Sequence, residues 1–317
     1  MKLPFCLFYL LPVALLGQPA AERGRQLFEK HNFTEAIPVL KSVDEDDASY
    51  ASAQYYLGRI AFEQKEYDDA AEYFEEATEA KNGQVADYFN WLGNTYGTIA
   101  QEANVIRQGM LAPKMKSAWE KAIALDARNI GARQSLISFY TQAPALMGGS
   151  MDKAKEMARQ IGAIDPVQGH RSMGNLLTKE KNLPAAEKEY LEMTRLEPRL
   201  APVLGNFYLN EKMFDKAFRL FEDDLRKNPD DMLAIYQLGK ASAISGQRLD
   251  EGEQWLLKYL DYTPKQNEPS HAGANMRLAQ VYEKKGRKAE ARQKYEAALK
   301  LDSHLQEAKE GLSRVSK

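Results

Sequence analysis

The sequence predicts an all-α fold, an α-solenoid of about eight helical hairpins closed by a C-terminal capping helix. Three observations predict it. A pattern of small and aromatic residues recurs about every 34 residues along most of the chain. Proline falls where the pattern needs a helix to stop, at Pro166, Pro198 and Pro229. And among 317 residues, 44% hydrophobic and 28% charged, the only long apolar run lies at the very start.

That run comes first in order. Lys2 supplies a positive charge and Leu3 to Gly17 is apolar throughout. Such a stretch spans about 22 Å as a helix, short of the roughly 30 Å of a bilayer core. With Ala20 and Ala21 behind it, the stretch predicts a secretory signal peptide over residues 1–20, and with it an exported protein, periplasmic or extracellular.

From residue 21 the repeats begin. The first copy carries Gly24, Ala36, Leu40 and Val43, and the second Gly58, Ala70, Phe74 and Ala77. The third opens on Gly93 and Tyr96 and reaches Trp119, Ala122 and Leu125 only after an insertion at 98–113. The fourth, with Leu136, Ile137 and Tyr140, reaches Ala154, Ala158 and Ile161 after an insertion at 142–150. Gly174, Ala186, Tyr190 and Met193 make the fifth copy, and Gly205, Ala217 and Phe221 the sixth. The seventh slips by one residue to Gly239, Gly252, Leu256 and Tyr259, and the eighth has Ala279, Tyr282, Ala291, Tyr295 and Ala298. Small residues at the first position and twelve further on let two antiparallel helices approach closely. The aromatic four positions later is expected to face the first helix of the next copy. No such pair buries its apolar face alone, so the copies must stack around a shared core. Residues 304–317 carry Leu305, Ala308, Leu312 and Val315 as one apolar stripe, which suits a capping helix.

The stretches YYLGRIAFEQKEYDDAAEYFEEATEA and RLAQVYEKKGRKAEARQKYEAALKLD carry a resemblance: the sequence is similar to tetratricopeptide-repeat proteins over residues 21–303. The loop Ala143-Pro144 to Gly148-Gly149 resembles those of exported bacterial members. The resemblance implies a right-handed superhelix with a concave groove, and a non-enzymatic scaffold that binds a partner protein or peptide there. Ala21 stands where the carboxylate clamp of chaperone-binding relatives has its first lysine, so that specificity is not carried over.

Composition narrows the alternatives. Lys and Arg number 43 against 45 Asp and Glu, a net charge of −2 without the basic excess of nucleic-acid or membrane-surface binders. Cys6 is the single cysteine, which leaves no intramolecular disulfide and no thiolate cluster. His31, His170, His271 and His304 fall in different copies without metal-ligand spacing. Asp44 to Asp47 lacks the alternation and glycine of a calcium loop and reads as a solvated turn. With no nucleophile motif and no phosphate loop, the expectation is no catalytic residue, no metal, no cofactor and no enzyme activity. Partners are expected to be proteins or peptides, with no nucleic acid and no membrane once the leader is removed. A homodimer stays open.

Of the insertions, 98–113 is expected to lengthen both helices as packing. Residues 142–150 are expected to form a loop with Leu146 and Met147 exposed at its tip, lying on its own stack, with partner contact as the alternative. The groove is the stronger candidate. Just after the small first position stand Arg25, Arg59, Asn94, Ser138, Asn175, Asn206, Lys240 and Gln280, all polar and none acidic. One turn earlier come Tyr55, Asn90, Gln134, Arg171 and Tyr236. Amides spaced along a groove pair with an extended backbone, arginines with carboxylates, and tyrosines offer flat contacts with polar tips. The candidate groove is therefore Arg25, Tyr55, Arg59, Asn90, Asn94, Gln134, Arg171, Asn175, Asn206, Tyr236 and Lys240, binding an extended partner segment. The alternative is an accessory or regulatory subunit of an envelope-assembly or polysaccharide-export enzyme complex.

Overall fold

Seventeen α-helices and no strand occur among the described residues, which are 19–316 of a computed structural model. All of the expected signal peptide but Pro19 and Ala20 lies outside them. The chain divides into two compact units at Asn182–Leu183.

The first unit contains α1 (Ala20–Glu29), α2 (Phe33–Lys41), α3 (Tyr50–Glu63), α4 (Tyr67–Glu79), α5 (Ala86–Glu102), α6 (Val105–Leu125), α7 (Ile130–Gln142), α8 (Met151–Ile164) and α9 (Pro166–Lys179). Consecutive helices pack as antiparallel hairpins, and α1 also meets α3 while α5 meets α7, so the first helices form a layer of their own. The second unit contains α10 (Leu183–Leu196), α11 (Ala201–Asn210), α12 (Phe214–Lys227), α13 (Met232–Ser245), α14 (Leu249–Leu260), α15 (His271–Lys284), α16 (Lys288–Leu301) and α17 (Gln306–Val315). Here α11, α13, α15 and α17 touch in succession in the same way.

The turns explain why hairpins form where they do. After α1 the backbone takes a left-handed step at His31, and the amide of Asn32 donates to the Leu27 carbonyl at 2.9 Å. Lys65 after α3, Lys212 after α11 and Gly286 after α15 repeat the step, closed by Glu66 to Ala61, Met213 to Tyr208 and Arg287 to Tyr282. This closure satisfies the last carbonyls of one helix and reverses the chain within a few residues. Helix starts are fixed by side chains: Asn104, Asn129, Ser150 and Asp165 in the first unit, Asp231 and Ser270 in the second, each accepting from a backbone amide of the first turn.

The repeat spacing sets the packing. A β-carbon added to Gly58 would lie 2.8 Å from the ring of Phe74, and one on Gly205 would lie 2.1 Å from that of Phe221. Gly24 meets Leu40 and Gly93 meets Trp119 in the same manner. The large residue thus lies over the glycine of its own hairpin, in addition to reaching the next copy as Phe74 does toward Trp91, 6.1 Å between ring centres. In the first unit the core runs on without a break, because Tyr56 and Tyr73 pack against both of the first two clusters and Met115 against both of the last two. The cap is built the same way: Gly311 of α17 rests on the ring of Tyr295.

Candidate functional site

On the first helices of the first unit, most of the polar side chains are tied to one another. Arg25 bonds Glu22 at 2.5 Å and Glu29 at 2.7 Å, so two carboxylates of its own helix already match its charge. Tyr55 is a correction to the expected flat contact. It is 5% exposed, stacked on Tyr88, and its hydroxyl donates to Asp87 at 2.5 Å. Burial, and then the Asp87 carboxylate, push its phenol above the ordinary value and keep it a donor. Arg59 donates to the Tyr55 oxygen at 2.9 Å, while its guanidinium lies 3.9 Å over the ring of Trp91 and 5.1 Å from Phe28. Rings on several sides therefore fix its position.

Asn94 is spoken for as well: its oxygen accepts from Trp119 Nε1 at 2.9 Å and from Ser135 at 3.0 Å. Asn90 lies half-buried with its oxygen unpaired in the chain. Gln134, exposed, donates to Gln168 at 3.0 Å, and Arg171 and Asn175 are exposed on α9.

The second unit uses charges instead. Lys240 donates to Asn206 at 2.6 Å, and burial, with Arg277 nearby, lowers its amine below the ordinary range. Tyr236, 8% exposed, is the second tyrosine that proves to be core: it packs 5.1 Å from Tyr259. Arg277 reaches Glu307 at 2.8 Å and Gln280 at 2.9 Å. Burial would raise the Glu307 carboxyl, but Arg277, Gln280 and Lys240 outweigh it and hold the group below the usual range. Arg277 and Glu307 are not among the residues that the repeat register singles out. A lone arginine inside the otherwise uncharged run HAGANMRLAQ is the one signal that points to the pair.

Five buried side-chain atoms among the described residues lack a hydrogen-bond partner: Gln54 Oε1, Arg59 Nε, Asn90 Oδ1, Gln237 Oε1 and Arg277 Nε. All five stand on first helices, α3, α5, α13 and α15. Two openings accompany them. One of about 400 Å³ in the first unit lies between α5 and α7, over Trp119 and Phe139, with Met115, Ala112, Pro144 and Met147 around it. The other, of about 450 Å³ in the second unit, is lined by Arg277, Glu283, Lys284, Glu307 and Arg314 among others.

The insertions shape the first opening. Residues 98–113 extend α5 to 17 residues and α6 to 21, and Gln108 ties the two by donating to the carbonyls of Ala100 and Ala103. The extension is not all packing, since Val105, Ile106 and Met110 are exposed. In the second insertion Leu146 is 99% exposed, whereas Met147 turns inward to line the cavity. Among the described residues no group of three acidic, His or Cys side chains is placed to hold a metal, and no helix is long and apolar enough to cross a membrane.

The geometry defines a helical-hairpin repeat scaffold, and its likeness to known proteins gives the class. Tetratricopeptide-repeat family models match residues 22–85 and 272–305. A tetratricopeptide-repeat protein of Parabacteroides merdae is similar in structure, with a TM-score of 0.53 at 16% identity over 84% of this chain and 99% of that one. The C-terminal part of a repeat protein from Cytophaga hutchinsonii aligns over 92% of this chain and 99% of its own, with 17% identity and a TM-score of 0.44. MamA aligns over 56% of this chain and 96% of its own, at 22% identity and a TM-score of 0.45. No curated protein matches the sequence. The chain is a tetratricopeptide-repeat protein. That fold is a protein–protein interaction scaffold, and proteins built on it are in general not catalytic.

Proposed function

We propose that this protein is a non-enzymatic scaffold that holds an extended segment of a partner protein along the first helices of its hairpins. The observation that carries the reading is the row of polar side chains left half-buried or exposed on first helices, Arg59, Asn90, Gln134, Arg171, Asn175 and Lys240. An extended chain offers both donors and acceptors at regular intervals, which amide and basic side chains in a row can meet. Arg59 is the anchor in the first unit and Lys240 the anchor in the second, each for a segment bound to its own unit. Each is held in place by its neighbours, Arg59 by rings and Lys240 by Asn206, so little side-chain freedom is lost on binding. Arg25 and the two tyrosines take structural parts instead, and Asn94 supports Trp119. Export of the protein rests on the sequence of residues 1–20, and N-terminal sequencing of the protein as secreted tests it.

The scaffold reading is tested with peptides selected from a random phage-displayed library on the full chain. Arg59→Gln is expected to weaken the selected peptides that bind the first unit, and Lys240→Gln those that bind the second, each about tenfold, roughly 1.4 kcal/mol, with helicity and melting retained. Hydrogen exchange in α3, α5 and α13 is expected to slow on binding. Peptides that protect only second helices would sink the proposal.

A further inference from the structure

We propose that the cavity between α5 and α7 is a pocket for one bulky, uncharged side chain of the bound segment, of the leucine, methionine or phenylalanine class. This deepens the scaffold reading and rests on it. In a chain with 28% charged residues, no charged side chain lines this opening, although the opening of similar size in the second unit is lined mainly by them. Its inner surface is Trp119, Phe139, Met115 and Met147, and a charged group pressed against these loses hydration without gaining a partner. Gln101, Ser138 and Gln142 stand exposed at the mouth, where amide and hydroxyl groups meet the backbone that carries the side chain. At about 400 Å³ the cavity lies near the lower end of ligand pockets, roughly 300–1,000 Å³. That admits a single large side chain with adjoining backbone.

The pocket is a product of the two insertions. Gln108 and Ala112 come from the first, Pro144 and Met147 from the second, and copies without extra residues have none of these walls. The second wall is rigid. Gly148 takes a left-handed φ of 99°, Gly149 donates to the Pro144 carbonyl at 3.1 Å, and a β-carbon on Gly149 would lie 1.9 Å from the Ala143 oxygen. Ser150 then closes the loop on the Tyr140 carbonyl at 2.8 Å. A preformed wall loses little order when it is filled.

Gly97 supplies the test. It lines the cavity, and a β-carbon there would meet Met115 and Trp119 at 3.7 Å, ordinary contact. Gly97→Leu therefore fills the pocket and favours the helix. Ser138→Trp, from an exposed position, blocks the mouth. A random heptapeptide library displayed on phage is selected on the full chain, and enriched sequences are made as fluorescent peptides for anisotropy. The expected result is a bulky apolar residue without charged neighbours in the enriched set, and binding at least tenfold weaker to both variants at unchanged or raised melting temperature. Peptides weakened by Arg59→Gln but by neither pocket variant overturn the pocket and leave the scaffold reading standing. Enrichment of charged sequences alone overturns the pocket as well. Peptides indifferent to all these variants, or none enriched, overturn both.

Discussion

On the first helices of the unit that ends at Asn182, the half-buried cation Arg59 lies against the rings of Phe28, Tyr55 and Trp91. In the unit that begins at Leu183, Lys240 and Arg277 lie instead among Asn206, Gln280 and the carboxylate of Glu307. The second unit continues in the same manner at further ion pairs, where Glu253 accepts from both Lys285 and Arg287 at 2.6 Å and Glu283 holds Arg314 at 2.8 Å. One repeat code thus serves two kinds of polar surface. The small-residue positions fix how helices approach, and the positions beside them are left to differ. A polar residue beside the glycine marks a place on the strip, and its neighbours decide whether it supports the stack or faces a ligand.

The largest expected effect treats the two units alike. Phe74→Ala and Phe221→Ala each remove a ring that is fully buried over a glycine, and each is expected to cost about 3–5 kcal/mol of local stability. Hydrogen exchange read helix by helix checks this, and the loss is expected in α3–α5 for the first and α11–α13 for the second. A loss below about 1 kcal/mol in either unit would show that the ring-over-glycine contact does not carry that unit's core.

Alanine at the glycines themselves separates the units. The added carbon lies 2.1 Å from the Phe221 ring at Gly205 but 2.8 Å from that of Phe74 at Gly58. Overpacking of this kind costs about 1–3 kcal/mol, and Gly205→Ala is expected near the upper end with Gly58→Ala below it. Urea denaturation measures both, and the reverse order would break the reading of the Gly205 contact as the tighter of the two.

The interval is legible in the sequence itself, because Gly58 with Phe74 and Gly205 with Phe221 keep one spacing, but the seat of the ring over the glycine of its own hairpin is not, since the spacing points to the next copy. The candidate strip is less legible. Tyr55 and Tyr236 occupy the expected register but are buried, since a helix turned by a fraction of a residue moves a side chain from the open face into the seam. Asn94 holds the expected place but plays another role, because its partners Trp119 and Ser135 lie 25 and 41 residues away and periodicity says nothing of them. The cavity is not legible either. It needs α5, α6, α7 and the turn at 145–147 together, and the insertions that build it break the very repeat by which the rest is read.

Acid sharpens the contrast in charge. Glu253 and Glu283 have carboxyls held below their ordinary values: for Glu253 burial raises and the bonds of Arg287 and Lys285 more than reverse it, and for Glu283 the bond of Arg314 leads. A carboxylate depressed on folding contributes stability that is present above the unfolded value near 4.5 and is lost as pH falls through the folded one. The second unit is therefore expected to lose stability from about pH 4.5 downward. Arg59 of α3 lies against rings that do not titrate in this range, and that helix is expected to respond less. Exchange rates compared between pH 6 and pH 3 measure the difference, and equal losses in α3 and α15 would remove the distinction.

The smallest effect concerns the turns. Lys65 in the first unit and Gly286 in the second hold the same left-handed step, with φ of 66° and 76°. A β-carbon in that conformation crowds the backbone, and glycine avoids the cost at the expense of a more disordered unfolded chain. Nothing lies within 4 Å of a β-carbon placed on Gly286, so a substitution there is felt through the backbone alone. Lys65→Gly is expected to gain, and Gly286→Ala to lose, about 0.5–1 kcal/mol, opposite signs from equivalent positions. Thermal denaturation at fixed pH measures both. A gain from Gly286→Ala would mean that unfolded-chain entropy outweighs backbone crowding, and the lysines at the other turns would then be the better choice on stability grounds as well.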